Sequence, residues 1–206
     1  MSKRTWISRV GVAAIAACIV TSSALAQQTP TVRIRGTIES VDGNTLGIKT
    51  REGTDVKVRM TDNVAVFAVV KTSLSEIKDG SYIGVTGLPE PDGTQKAIAV
   101  HIFPENQRGA AEGFRPWDLR ANSTMTNATV AESVKGTDGQ NILVKYKDGE
   151  KKVFVADNTP VVTFVPGDKS DLKAGAKVIA FMKQLPDGSF ETNRVSVGLN
   201  GLTPPM

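Results

Sequence analysis

One cysteine and one histidine occur among 206 residues, and aromatic side chains make up only 5% of the chain. A lone Cys18 excludes an intramolecular disulfide framework and any multi-thiolate metal cage. A lone His101 leaves no second imidazole for a His-based metal site and little room for a conventional catalytic triad. Long apolar runs are as scarce: a single one, at residues 10–20, lies near the N-terminus, which excludes a bundle of spanning helices. Neither Gly-x-Ser-x-Gly, a Gly-rich Lys-Ser/Thr phosphate loop, His-Glu-x-x-His nor a paired-cysteine pattern occurs. Without a nucleophile motif, phosphate cradle or metal signature, the residues predict a non-enzyme with no cofactor.

What is there begins with an export signal. Lys3, Arg4 and Arg9 precede the apolar run, and Ala24-Leu25-Ala26 places small residues where a leader peptidase needs them. Residues 1–26 therefore read as a signal peptide cut before Gln27, and the mature chain as periplasmic. A second cut is written into Ile15-Ala16-Ala17-Cys18, which resembles a lipobox and would leave a lipoprotein anchored through Cys18. Removing residues 1–26 takes three of the 25 basic residues, leaving 22 against 21 acidic ones and a net charge of +1. No basic stripe remains for nucleic acid, and no membrane span remains in the mature chain.

The rest of the chain is written twice. At a step of 95 residues, Asp62-Asn63 meets Asp157-Asn158, Val66 meets Val161, and Pro91-Asp92-Gly93 meets Pro186-Asp187-Gly188. Ser75-Glu76-Ile77-Lys78-Asp79-Gly80 likewise meets Ser170-Asp171-Leu172-Lys173-Ala174-Gly175. Upstream, Asp42-Gly43 meets Asp138-Gly139 at a step of 96. Fixed-offset matches of turn and apolar residues define a tandem duplication at 31–104 and 125–199. Residues 105–124 form the linker, and 200–206 an irregular tail.

Within a copy the periodicity is that of strands. Leu46 and Ile48, then Val56, Val58 and Met60, alternate with polar residues between Asp-Gly and Glu-Gly turns, as hairpins require. Residues 64–70 form a nearly continuous apolar run of strand length. Ser73-Leu74-Ser75-Glu76, matched by Asp168-Lys169-Ser170-Asp171, is a capping-box pattern for one short helical turn. Five or so strands and one short helix in about 72 residues predict an all-β protein of two tandem small OB-like β-barrels, each with one short helix, with a small open sandwich as the alternative.

The string Gly36-Thr37-Ile38-Glu39-Ser40-Val41-Asp42-Gly43-Asn44-Thr45-Leu46, followed by Leu74-Ser75-Glu76-Ile77-Lys78-Asp79-Gly80, resembles the exported bacterial domains grouped as the DUF5666 family. The second copy is similar but looser, with Ala128 in the place of Gly36. The resemblance implies an OB-like fold and a periplasmic setting. It implies no activity and no site residues.

Among candidate site residues, His101 is a weak metal candidate. It is out of phase with Val100 and Ile102, which turns it to the opposite face and predicts a solvated strand histidine. Asp42, Asp62, Asp92, Asp138, Asp157 and Asp187 each precede Gly or Asn and read as turn residues rather than cation ligands. The linker holds the most distinctive cluster, Arg115, Trp117 and Arg120, a composition typical of binding hot spots. The competing reading is that Phe114 and Trp117 pin the linker across a barrel. Together these features predict a non-catalytic exported module binding a periplasmic protein, an envelope polymer or a small ligand at the linker and inter-barrel groove. The alternatives are an accessory protein of metal handling, with His101, Met60, Met125 and Met182 as weak ligands, and an envelope hydrolase.

Overall fold

The computed structural model describes residues 31–206; the expected leader, its expected cut before Gln27 and Cys18 lie outside them. Twelve strands form in the described residues. The first copy supplies β1 (Thr31–Asp42), β2 (Thr45–Thr50), β3 (Asp55–Lys71), β4 (Tyr82–Pro89) and β5 (Gln95–Ile102). Next comes β6 (Gly113–Pro116). The second copy supplies β7 (Thr124–Lys135), β8 (Gly139–Tyr146), β9 (Gly149–Ala156), β10 (Val161–Pro166), β11 (Lys177–Gln184) and β12 (Phe190–Gly198). Between β3 and β4, and between β10 and β11, lie three-residue 3-10 turns at Leu74–Glu76 and Lys169–Asp171. Asp168 completes the expected capping box, whereas Ser73 makes no cap and its hydroxyl pairs instead with that of Ser75.

The strand pairing departs from a division at 31–104 and 125–199. A closed five-stranded barrel runs β1–β2–β3–β12–β11 and returns to β1, so its last two strands come from the other copy. A second circuit, β4–β5–β9–β8–β7, closes through Gln95↔Val153 and Lys96↔Phe154. The β4–β5 and β11–β12 hairpins each complete the circuit whose other three strands lie in the other half of the chain. The cores are correspondingly mixed. Ile38, Leu46, Ile48 and Val58 of the first copy pack with Val178, Ala180, Met182 and Val195 of the second. Ile83, Val85 and Val100 of the first pack with Val130, Ile142, Val144 and Val153 of the second.

The cause lies in β3. It runs unbroken for 17 residues, so its second half keeps β12 of the first barrel on one edge and pairs antiparallel with β10 on the other. The chain emerges beyond Lys71 beside the other copy, and β4 adds to β7 there. In the second copy the corresponding strand is interrupted at Asn158-Thr159-Pro160, where a proline has no N–H to donate.

The β3–β10 pair also explains the continuous apolar run at 64–70. Val66 and Ala68 are buried, and Val66 packs in the first barrel, while the alternate residues Phe67 and Val69 face a third cluster between the circuits. A strand covered on both faces reads as a solid hydrophobic run. The third cluster gathers Val69, Tyr82, Phe103, Met125, Val162, Phe164 and Ile179, with Phe67, Trp117 and Phe181 packed against it.

Residues 105–124 are more ordered than a linker. They contain a 3-10 turn at Glu105–Gln107 and the edge strand β6, which pairs with β7 through Phe114↔Thr126 and Arg115↔Met125. The tail after a short turn at Leu199–Gly201 has no strand, but Met206 is buried in the third cluster and its carbonyl accepts from Arg35 Nε. No helix of the described residues is long and apolar enough to cross a membrane.

Candidate functional site

A cavity of about 120 Å³ lies in the third cluster, between the two circuits and under the 105–124 segment. Alternation along β5 puts Val100 into the second core and His101 on the other face, as the sequence predicts. That face is not solvent. His101 is only 5% exposed, with the rings of Phe103 and Phe164 at 4.4 and 5.4 Å, because β10 and the 105–124 segment cover it. The expectation of a solvated histidine is corrected accordingly. Burial, reinforced by the charges of Arg194 and Arg115, pushes the imidazole down from 6.5 to about 3, so it is neutral at pH 7.

Opposite His101 in the β4–β5 register stands Gly84. A Cβ there would lie 2.0 Å from His101 Cε1 and 2.8 Å from Asn127 Oδ1, so only glycine admits both side chains. Asn127 donates from Nδ2 to the carbonyl of Ala110 at 3.0 Å, and the Tyr82 hydroxyl donates to the same oxygen at 3.1 Å. Burial raises the Tyr82 phenol to about 12, so it stays a donor at any physiological pH.

The outer wall comes from the 105–124 segment and β1. Trp117 stacks under Arg33, whose guanidinium carbon is 3.6 Å from the ring centroid. Asp118 Oδ1 accepts from Arg33 Nη2 at 2.7 Å and Nε at 3.2 Å. Arg35 Nη2 lies 2.9 Å from that oxygen, an ion pair without the angle of a directed hydrogen bond. Partial burial pulls the Asp118 carboxyl up, but Arg35 and Arg33 beside it outweigh burial and hold it below the usual range. These contacts tie a segment flanked by strands of the second circuit to β1 of the first barrel.

Two further cations line the cavity. Arg115 donates from Nη1 to the carbonyl of Ala111 at 2.8 Å, and Arg194 lies over Phe67 and Phe181 at 4.7 and 5.4 Å from their centroids. Neither has a carboxylate within ion-pair distance among the described residues. Desolvation lowers the pKa of both guanidinium groups, a sign that water solvates them poorly. Four buried polar atoms of the cavity lining have no hydrogen-bond partner: His101 Nδ1, Asn127 Oδ1, Trp117 Nε1 and Arg194 Nε. Buried groups in this condition are rare and each costs free energy, on the order of 1–3 kcal/mol.

Of the three linker residues singled out by sequence, Arg115 and Trp117 line the cavity, while Arg120 is exposed and enters the structure through its backbone, in a turn with Ser123. Arg33, Asn127, Phe164, Phe181 and Arg194 join the site from strands far apart in the chain. Only the hairpin exchange brings them together, and no local signal marks them.

Of the methionines, Met125 lines the cavity, while Met60 and Met182 pack in the first barrel. No three His, Cys, Asp or Glu side chains converge among the described residues. Asp92 accepts from Thr94 N and Oγ1, and Asp187 from Ser189 N and Oγ, each closing its own turn. Set against known proteins, the chain matches no family model, no curated protein and no solved structure.

Proposed function

We propose that the protein is a non-catalytic, exported binding module, built from two OB-like barrels that share their hairpins, and that it holds a small ligand in the cleft beneath Trp117. The observation that carries this reading is the set of unpartnered atoms on His101, Asn127, Trp117 and Arg194 around one apolar-walled cavity. Sites for small molecules have this character: apolar walls with a few convergent polar groups. The volume, about 120 Å³ and below the roughly 150 Å³ of a cavity that admits benzene, favours a small ligand over a protein or polymer. The parallel β3–β12 and antiparallel β1–β11 pairings within a five-stranded barrel support the OB-like reading. Export rests on the residue 1–26 leader pattern and the DUF5666 resemblance.

Two-dimensional ¹H–¹⁵N spectra recorded against a library of single-ring fragments test the cleft. Bound fragments shift the Trp117 indole and Asn127 side-chain resonances. A library that moves neither contradicts a ligand role for this cavity. Mass spectrometry of the mature N-terminus tests export, with Gln27 expected and a lipid-modified Cys18 contradicting the cut.

A further inference from the structure

We infer that the cleft selects a small aromatic monocarboxylate, an inference that rests on the reading of the cleft as a ligand site. The wall chemistry sets the body of the ligand. Trp117, Phe164, Phe181 and the His101 ring present flat faces and edges to the cavity, wall chemistry that suits one flat ring.

The charge of the lining sets its head group. Arg33, Arg115 and Arg194 all border the cavity, and no Asp or Glu does. Asp118 serves Arg33 and Arg35, which leaves Arg115 and Arg194 without a counter-charge among the described residues. A partly desolvated guanidinium gains most from an anion that enters the same low-dielectric space. Two N–H donors, Trp117 Nε1 and Arg194 Nε, are unused, and two donors match the two oxygens of one carboxylate. An inorganic phosphate lacks the ring that the aromatic walls contact and carries more charge to desolvate. The free acceptor Asn127 Oδ1 can take a ring hydroxyl, its own amide nitrogen being committed to Ala110.

Isothermal titration of the full chain with 4-hydroxybenzoate, 4-hydroxybenzamide and inorganic phosphate separates ring, charge and hydroxyl. The acid is expected to bind at least tenfold tighter than the amide of the same shape and than phosphate. Arg194→Gln and Trp117→Phe should each cost the acid about tenfold or more, with little change for the amide, in variants whose melting shows an intact fold. If Arg194→Gln does not fold, Trp117→Phe, which keeps a ring in place, decides alone. Equal binding of acid and amide overturns the selectivity while leaving the cleft a ligand site. Tighter binding of phosphate overturns the aromatic body. No heat with any probe overturns the carboxylate class, and the fragment spectra then judge the cleft independently.

Discussion

Val69 and Phe164 face each other across the antiparallel β3–β10 pair, 95 residues apart, the same step that relates the matched residues of the sequence. The β3–β10 register is symmetric about this pair. Val66↔Val195 in the parallel β3–β12 pair answers Val161↔Val100 in β10–β5, and Val58↔Phe190 answers Val153↔Gln95. The cleft sits beside this pair, and so does the third core.

Phe164→Ala should therefore weaken the whole molecule rather than one end. Phe164 is 6% exposed and meets Phe67, Phe103 and His101. Truncation of such a ring costs about 3–5 kcal/mol. Urea unfolding followed by circular dichroism should show one transition at a lower midpoint; a loss below about 1 kcal/mol would mean that the third cluster is not integral to the fold.

Gly84→Ala should destabilise by about 1–3 kcal/mol through overpacking against the His101 ring. Because His101 and Asn127 both crowd the position, His101→Ala in the same chain should recover part of the loss. A double-mutant cycle with no coupling between the two substitutions would contradict the contact.

Acid should destabilise the protein from about pH 6.5 downward. His101 titrates at about 3 when folded and near 6.5 when free, so between these values the unfolded chain binds the extra proton. Stability is complete above 6.5 and falls with decreasing pH through the window, by at most about 1.4 kcal/mol per pH unit. The depressed Asp118 adds loss of the same sign, present above its unfolded pKa and lost as pH falls. His101→Leu should flatten the part of the slope between 6.5 and 4.5, where carboxylates contribute least; an unchanged slope there contradicts a buried neutral imidazole.

Asp118→Ala should lower the melting temperature although Asp118 is half exposed, because it strips the counter-charge from Arg35, which is 7% exposed. About 1–2 kcal/mol is expected, less at high salt for the Arg33 share. Trp117→Ala should cost a similar amount through its stacking and burial. Differential scanning calorimetry checks both, and wild-type stability in either variant would detach the 105–124 segment from β1.

Most strands were legible because each local signal is indifferent to its partner. The alternation of Leu46, Ile48, Val58 and Met60 demands a barrel interior, whichever copy completes it. Exchange was not legible for the same reason, since the β4–β5 and β11–β12 hairpins are equivalent and can complete either ring. The decision lies in whether β3 continues past Asp62-Asn63, where the second copy breaks at Pro160. His101 was misread because alternation reports which face a residue takes, not what covers it. The strand β6 was hidden in a proline- and glycine-rich stretch whose pairing is set by β7 alone. Arg194 and Asn127 carry no motif; their role appears only when β7, β10 and β12 meet.

The exchange itself is tested most directly by paired cysteines in a Cys18→Ser background. Thr31 pairs with Lys183 across β1–β11, both exposed, whereas closure of the first copy on itself would set Thr31 against Leu88, which occupies the position equivalent to Lys183. Oxidation of the Thr31→Cys, Lys183→Cys variant should form an intramolecular disulfide rapidly and in high yield, and the Thr31→Cys, Leu88→Cys variant should form none. The reverse pattern would show that each copy closes its own barrel, and the cleft built on the exchange would fall with it.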